Sequence, residues 1–500
     1  MKRTAGILLP IASLPSRYGI GCFSKNAYDF VDWLKEAGQT YWQILPLGPT
    51  SYGDSPYQSF STFAGNPYFI SLEALIEEGV LTEEECEAAD FGKKENDIAY
   101  KKLYENRYPL LRKAYERSRI TENPAYLRFV EENSWWLSDY ALFMAVKGRF
   151  EGCAWTEWAE DIRLRWDFAM DYYRRELYFE IEFQQYMQFK FYEQWNALKA
   201  YANEKGIYII GDIPIYVALD SADTWARPEL FQLDEQNVPY AVAGCPPDGF
   251  SADGQLWGNP LYRWEYHKST GYDWWISRLS YCFRLYDVLR IDHFRGFDEY
   301  FSIPGTEKTA KNGHWEKGPG IELFRRVEQC LGWHEVIAED LGYVTDSVRR
   351  LVRESGFPGM KVLEFAFDSR DTGAANDYLP HNYIEDSIAY TGTHDNETLA
   401  GWFQSITPKE RQMARDYLGD SYTPDEKLHK SFIAVIMRSN SKACIVPIQD
   451  YLGYDNTCRI NQPSTIGKNW RWRITEKELS KTLQEEIRAT AMRYGRMNWD

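Results

Sequence analysis

The chain lacks any long uninterrupted apolar run. A membrane-spanning helix needs about 18 or more consecutive apolar residues, and no window of the 500-residue sequence approaches that length. Two basic residues near the N-terminus precede an apolar stretch at 5–14, which superficially resembles a signal peptide. Pro10 and Pro15 interrupt this stretch, so we interpret it as the first strand of the fold and expect no association with a membrane.

Long basic runs and close cysteine pairs are also missing. The formal net charge is −17, and no cluster of Lys and Arg could follow a phosphate backbone, so nucleic acid is not an expected partner. The cysteines stand singly along the chain, a pattern that favours reduced thiols in a cytoplasmic protein over a disulfide framework or a zinc site. They are Cys22, Cys86, Cys153, Cys245, Cys282, Cys330, Cys444 and Cys458.

Motifs for metals and coenzymes are equally scarce. None of the seven histidines forms the kind of close pair that opens a metal-dependent barrel hydrolase, and the first predicted strand contains no histidine. The sequence has neither a phosphate-binding P-loop nor a dinucleotide fingerprint. We therefore expect neither a metal nor another cofactor.

Aromatic residues, by contrast, are abundant and make up 16% of the chain, with 19 Trp and 36 Tyr. Sugar rings present flat C–H faces that pack on such side chains. A large core would explain any single Trp equally well. Taken as a whole, however, the excess favours a carbohydrate-binding groove, and a neutral sugar agrees with the acidic net charge.

Eight short β-prone runs follow one another along the chain, and helical patterns separate most of them. This alternation predicts an α/β fold with parallel strands and right-handed crossovers, and eight strands indicate a closed (β/α)8, or TIM, barrel. The predicted strands are residues 6–12, 40–46, 207–213, 288–293, 335–340, 360–367, 387–393 and 444–449.

Uneven spacing between the strands predicts large, mostly helical insertions within a single catalytic barrel that spans 1–500. After strand 2, helical patterns fill most of an inserted subdomain at 65–205; after strand 3, an inserted loop subdomain at 215–273 is rich in Pro, Gly and Asp. Loops of this length within a compact domain are usually functional. A closing helix predicted at 475–494 leaves no length for a C-terminal β-sandwich, which we do not expect.

Three predicted strands end in carboxylates, although a buried strand should not end in charge unless that end is a site. The runs are VLRIDHF at 288–294, EVIAEDL at 335–341 and IAYTGTHD at 388–395. Because the C-terminal ends of parallel barrel strands open on one face, acids far apart in sequence can converge there. Three convergent acids suggest glycosidic chemistry.

The residue types at these ends suggest individual roles. Arg290 and Asp292 point the same way because side chains alternate along a strand. The cation would lower the pKa of Asp292 and keep it ionised, as a nucleophile requires, although a structural ion pair has the same pattern. Glu339 and Asp340 compete as the proton donor, since only one of two neighbours can face the cleft.

Two further strand ends carry candidate residues. Asp395, which follows His394, could stabilise an oxocarbenium-like transition state, or the pair could simply cap the strand. Asp212 ends the third strand, where it could hold a sugar hydroxyl or a neighbouring side chain, or be purely structural.

Eight short segments, individually weak and together highly specific, occur in order along nearly the whole chain. They are GDSPYQ at 53–58, AGNP at 64–67, GDIPIYV at 211–217, WGNPLY at 257–262, LRIDHFRG at 289–296, AEDLG at 338–342, GTHDN at 392–396 and NWRWR at 469–473. Together they resemble the amylomaltase family, also called 4-α-glucanotransferases or disproportionating enzymes, which is related to the α-amylases.

The resemblance implies a role for each candidate. It makes Asp292 the nucleophile, Glu339 rather than Asp340 the acid/base, and Asp395 the transition-state stabiliser. Substrate contacts are implied for Arg290, His394, Asp212, Tyr57, Trp257 and Asn461. The family often carries a glutamate in the loop that follows residues 246–248, whereas this chain has Ala252 and Asp253, so the substrate-binding role of Asp253 is left open.

The implied reaction is the transfer of α-1,4-glucan segments between maltooligosaccharides. Donor and acceptor are both α-1,4-glucans, glucose is a further acceptor, and the intermediate is a covalent glucosyl-enzyme that needs no coenzyme. The nearest alternative is an α-amylase-like retaining hydrolase with the same acids and water as acceptor. A different class is a catalytically silent glucan-binding protein on an old enzyme barrel.

Overall fold

A computed structural model describes residues 3–51, 53–247, 252–342, 344–369 and 377–499. Eight parallel strands form a closed barrel, and their order around it follows the chain, so that the last strand pairs with the first. The predicted (β/α)8 barrel is therefore confirmed. Its strands are β1 (Thr4–Leu8), β2 (Tyr41–Gln43), β3 (Tyr208–Pro214), β4 (Val288–Asp292), β5 (Val336–Ala338), β6 (Gly359–Val362), β7 (Ser387–Tyr390) and β8 (Ala443–Pro447).

Each barrel strand overlaps one predicted run, but most strands are shorter than the run. β1 ends at Leu8, ahead of Pro10, whose missing N–H cannot join a strand ladder, and a 3-10 helix follows at Ile11–Ser13. The predicted strand 360–367 likewise continues after β6 as a 3-10 helix at Leu363–Phe365. The residues just beyond the strands thus leave the ladder and turn towards the barrel mouth.

One apolar layer fills the barrel interior, and all eight strands contribute to it. Its buried members are Leu8, Tyr41, Ile210, Val288, Ile337, Met360, Val362, Ile388, Tyr390, Ala443 and Ile445. On β4, alternation places Arg290 and Asp292 on the same side as Val288, further towards the C-terminal end. The packed layer therefore forms a floor beneath the polar residues of the mouth.

Helices surround the barrel and fill the segment between β2 and β3. The elements α1 to α19, in chain order, are Lys25–Glu36, Leu72–Glu77, Glu83–Glu87, Tyr100–Ser118, Pro124–Glu132, Ser134–Arg149, Glu160–Arg163, Asp167–Glu176, Tyr178–Glu204, Ala222–Ala226, Trp264–Ser269, Asp273–Leu285, Ile321–Leu331, Asp346–Ser355, Leu399–Ser405, Pro408–Leu418, His429–Met437, Ile448–Leu452 and Lys481–Arg493. The sequence at 171–203 contains no Pro or Gly and has the pattern of one continuous helix. The structure has two helices there, because Leu177 leaves helical geometry.

A four-stranded antiparallel sheet, absent from the sequence predictions, lies outside the barrel. Two strands, Ala241–Cys245 and Gln255–Pro260, come from the predicted loop subdomain, and two, Glu299–Pro304 and His314–Lys317, come from a further excursion after β4. The two central strands, Ala241–Cys245 and Glu299–Pro304, pair residues about 60 positions apart. Neither segment therefore has its partner nearby in the sequence, where it could be recognised as a strand. We call this unit the accessory sheet.

Candidate active site

Arg290 is the centre of the polar network in the barrel mouth. It is 3% exposed, and its guanidinium donates to Asp212 Oδ2 at 2.6 Å and to Asp292 Oδ1 at 2.9 Å. Register explains the contact, since Asp212 on β3 is directly paired with Arg290 on β4. A single buried cation thus orients two carboxylates from neighbouring strands.

Glu339 lies next to this network, just beyond the paired residues Ile291 and Ala338 of β4 and β5. The backbone N–H groups of His293 and Leu341 donate to its carboxylate at 2.7 and 2.9 Å. His293 adopts the left-handed conformation with φ of 54°, so the chain turns sharply after Asp292. This turn directs the His293 N–H towards Glu339.

Asp340 has a different environment from its neighbour. Its Oδ1 accepts the backbone N–H of Met360 at 2.8 Å, which ties the end of β5 to β6. A Cβ atom at position 359 would collide with the Asp340 carboxylate, so Gly359 allows the close approach. The Asp340 side chain is thus engaged with the barrel wall, while Glu339 adjoins Asp292.

The Asp292 and Glu339 carboxyls differ in proton affinity. Desolvation raises the pKa of Asp292 to about 6, although the charge of Arg290 opposes the rise. Desolvation and the negative charge of Asp292 raise the pKa of Glu339 further, to about 7. The predicted lowering by Arg290 is therefore present but smaller than the effect of desolvation. Between about pH 6 and pH 7 the commonest state of the pair holds one proton, with Glu339 as the favoured carrier.

Asp395 is kept ionised by its own neighbours. Desolvation would raise its pKa, but the His394 charge and hydrogen bonds from His394 and Asn461 outweigh it and lower the pKa to about 2. Asn461 Nδ2 donates to Asp395 Oδ1 at 2.6 Å, and His394 Nε2 lies 3.4 Å from the same oxygen. Asp395 in turn raises the pKa of His394 against the lowering effect of burial. The result is a carboxylate with a fixed negative charge.

Tyr57 connects the two halves of the mouth. Its hydroxyl donates to Asp212 Oδ2 at 2.7 Å and lies 3.5 Å from His394 Nδ1, and the two rings stack with centroids 5.0 Å apart. Trp470 packs beside both rings at about 6 Å. The loop after β2 and the residues near 470 therefore complete the wall around His394.

The accessory sheet contributes an aromatic residue to the other side. Trp257 meets the His293 ring edge-on at 4.9 Å. Burial, with the charge of Arg295, lowers the pKa of His293 to about 3, so this ring is neutral. Its Nε2 is buried and has no hydrogen-bond partner among the described residues.

Asp253 is the predicted site residue that the structure leaves outside the network of hydrogen bonds. It lies on the surface, where its carboxylate pairs with Lys311 at 2.5 Å, and both side chains are more than half exposed. The other nine predicted residues are connected by hydrogen bonds, ion pairs or ring contacts within the mouth, or adjoin residues that are so connected.

Sequence reasoning missed three residues of the mouth: Arg459, Trp470 and His293. Arg459 donates to the backbone oxygens of Asp395 and Asn461 at 2.6 and 2.7 Å and so joins their loops. It has no sequence signal, because it stands 64 residues from Asp395 in a loop. Trp470 and His293 lie within the segments NWRWR at 469–473 and LRIDHFRG at 289–296, but their positive φ angles of 65° and 54° are properties of the folded chain that the sequence does not show.

Neither a metal site nor a membrane-spanning helix occurs in the described ranges. No group of three or more His, Cys, Asp or Glu side chains there could hold a metal ion. In the same part of the chain, no helix is long and apolar enough to cross a bilayer.

The sequence pattern of one family, 4-alpha-glucanotransferase, matches residues 9–479. The chain belongs to this family. Among 4-alpha-glucanotransferases of known sequence, that of Clostridium butyricum is 46% identical over 97% of this chain and 99% of its own, and that of Thermus thermophilus is 44% identical over 98% of both chains.

Solved structures agree with the family assignment. The amylomaltase from Streptococcus agalactiae, determined in complex with acarbose, superposes with a TM-score of 0.96 at 42% identity, and the match covers 99% of this chain and 100% of that one. The amylomaltase from Corynebacterium glutamicum has a TM-score of 0.76 at 20% identity and covers 98% of this chain and 74% of its own, which shows a shared fold.

Proposed function

We propose that the protein is a retaining 4-α-glucanotransferase, which moves α-1,4-glucan segments between maltooligosaccharides. Glucose can also serve as the acceptor of the transferred segment. The observation that carries the proposal is the pair Asp292 and Glu339, whose environments separate their proton affinities beside the fixed anion Asp395. Two carboxyls with divided roles are what retaining glycosidic chemistry requires.

In the first step, Glu339 transfers its proton to the interglucose oxygen as that bond breaks. Asp292 attacks the anomeric carbon from the opposite face, and a covalent β-glucosyl-enzyme forms while the shortened glucan leaves as an alcohol. The anion of Asp395 favours the oxocarbenium-like charge that develops between the two states. Arg290 holds Asp292 in line for attack through their 2.9 Å hydrogen bond.

In the second step, the roles of Glu339 reverse. The 4-hydroxyl of an acceptor sugar gives its proton to Glu339 and attacks the anomeric carbon, and Asp292 departs as a carboxylate. Two inversions restore the α configuration. A retaining reaction calls for a carboxyl separation of about 5–5.5 Å.

Transfer rather than hydrolysis requires that a sugar hydroxyl outcompete water. Trp257 on the accessory sheet is only partly buried and packs edge-on against His293, so its ring can offer aromatic surface to an acceptor sugar. We propose that the segments after β2, β3 and β4 hold the acceptor and restrict water. We include Asp253 among the residues that contact the acceptor. To reach a sugar, its carboxylate would have to break the ion pair with Lys311.

A cytoplasmic location is proposed as well. None of the eight cysteines, all of which lie in the described ranges, forms a disulfide, which suits a reducing compartment. Immunodetection in separated cytoplasmic and secreted fractions of the source cells would test it, and recovery in the secreted fraction would contradict it.

Incubation with maltotriose tests the reaction. Transfer yields glucose and a ladder of longer maltooligosaccharides without a net rise in reducing ends. A stoichiometric rise in reducing ends would instead indicate the α-amylase-like hydrolase, and an unchanged substrate would indicate a glucan-binding protein.

The roles of the two central carboxyls are tested by Asp292→Asn and Glu339→Gln. Each variant should fold as the parent and lose activity by about 10²-fold or more, since general acid–base catalysis alone contributes about 10²–10⁴-fold. Circular dichroism and the maltotriose assay give the two readouts. Near-normal turnover in either variant would refute the assignment of that residue.

A further inference from the structure

Glu364 lies directly beneath the turn that carries His394 and Asp395, which we call the β7 turn (residues 391–396). It follows β6 in the 3-10 helix Leu363–Phe365, and only 8% of it is exposed. Its backbone N–H donates to the oxygen of Thr391 at 3.3 Å. A Cβ atom added at Gly392 would lie 2.5 Å from Glu364 Oε1, so the carboxyl is packed against the turn.

A second buried carboxyl, Asp450, holds the β7 turn from the other side. It lies in the helix Ile448–Leu452, and its two oxygens accept the Thr391 hydroxyl at 2.5 Å and the Leu399 N–H at 2.7 Å. Both Asp450 oxygens therefore act as acceptors. Burial raises the pKa of Asp450 to about 6, although the hydrogen bonds from Leu399 and Thr391 oppose the rise, so Asp450 is mainly ionised above that pH. Glu364 Oε1, by contrast, is buried without a hydrogen-bond partner in the described ranges.

The charges that face Glu364 come from three segments. Asp450 in the helix after β8 and Glu397 just past the β7 turn are negative, and Arg459 is the facing cation. Arg459 directs its Nε and Nη2 at backbone oxygens of the neighbouring loops rather than at Glu364. Burial first, and then Asp450 and Glu397, raise the pKa of Glu364 well above its usual range, although Arg459 and a hydrogen bond from Asn396 oppose them.

We propose that Glu364 is a positioning residue, held as a neutral carboxylic acid between Asp450 and Gly392, and that its contact with the β7 turn sets the place of Asp395. Its effect on the reaction rests on the proposed function of Asp395. The protonated state of Glu364 does not rest on that function, because it follows from the burial of the carboxyl and from the hydrogen bonds that Asp450 already makes. Glu364 itself touches no reacting atom.

The first test measures thermal unfolding of the full chain from pH 5 to pH 8, with Glu364→Gln compared against the parent. Folding that favours the protonated form of a carboxyl loses stability as pH rises above the unfolded pKa of about 4.3. Gln cannot ionise, so the Tm difference between Glu364→Gln and the parent should grow in favour of the variant by about 2–4 °C across this range. Glu131→Gln, on an exposed helix position, controls for loss of a surface carboxylate.

The second test measures glucose release from maltotriose, which either transfer or hydrolysis produces. Glu364→Gln should keep kcat within about twofold, because it preserves shape and neutrality. Glu364→Ala removes the packing against Gly392 and should lower kcat by about 10–100-fold while KM changes by less than about threefold, since small misplacements of a reacting group are costly.

Three results would overturn the proposal. The first is a Tm difference that falls with pH for Glu364→Gln, which would show an ionised Glu364 paired with Arg459. The second is a tenfold loss of kcat in Glu364→Gln, and the third is an unchanged kcat in Glu364→Ala. If the parent releases glucose without forming longer glucans, the proposed transfer fails while both Glu364 readouts keep their meaning.

Discussion

Removal of the Arg290 charge should displace the pH dependence of the reaction towards alkaline pH. The guanidinium lies within 3 Å of Asp292 and lowers the pKa of both Asp292 and Glu339. Arg290→Met keeps much of the side-chain volume and removes the charge. An adjacent opposite charge typically lowers a carboxyl pKa by about 1–3 units, so both pKa values of the pair should rise by about 2 units.

The size of the effect follows from the state that reacts, in which the pair holds a single proton. With pKa values of about 6 and 7, about 60% of molecules are in this state at pH 6.5, treating the values as those of the pair. After a rise of about 2 units in both, about 3% remain in it. The activity at pH 6.5 should therefore fall about 20-fold from protonation alone and recover partly near pH 8.5.

The assay is initial-rate kcat/KM for maltotriose from pH 5 to pH 9.5. Loss of one partner from a buried ion pair costs about 3–5 kcal/mol of stability, so Tm is recorded at each pH to exclude unfolding. Arg290→Lys is the matched control, because it keeps the charge but loses the two-pronged geometry. The acidic and alkaline midpoints of its pH–rate profile should move by less than about 1 pH unit. A folded Arg290→Met enzyme whose pH–rate profile has the same two midpoints as that of the parent would refute the reasoning.

Three further variants address neighbouring residues. Asn461→Ala removes the 2.6 Å hydrogen bond to Asp395; since bonds to charged groups contribute about 1.5–3 kcal/mol, kcat should drop about 10–100-fold, and a loss below threefold would contradict the role. Asp340→Asn can still accept from Met360 N–H, so kcat should stay within about threefold, whereas a loss resembling that of Glu339→Gln would make Asp340 the acid. Trp257→Ala should raise the ratio of hydrolysis to transfer, measured as reducing ends per glucose released, because acceptor surface is lost; an unchanged ratio would remove Trp257 from the acceptor side.

Much of the barrel could be predicted because its signals are local. β-prone runs bounded by turn residues correspond one to one with β1–β8. The sequence TEEE at 82–85 has the local pattern of a helix N-terminus, and in the structure Thr82 and Glu85 form a capping box. Strand alternation also predicted that Arg290 and Asp292 share a side, and their hydrogen bond confirms it.

Predictions were incomplete where the determinant is a distant partner. The accessory sheet joins segments about 60 residues apart, and the helix break at Leu177 has no breaker residue. The contacts of Arg459 and Glu364 likewise depend on loops from different strands that meet only in the closed barrel. No window of sequence contains both partners of such a contact.

The sequence by itself determined the barrel and the carboxylates at the ends of β4, β5 and β7, because hydrophobic periodicity and strand-end charge are written in consecutive residues. Only the tertiary structure decided how those carboxylates differ. Desolvation outweighs Arg290 at Asp292, and the charge of Asp292 then raises the pKa of Glu339, while Asp340 is bound to the β6 backbone. These differences depend on burial and on distances between strands, which exist only after the barrel closes.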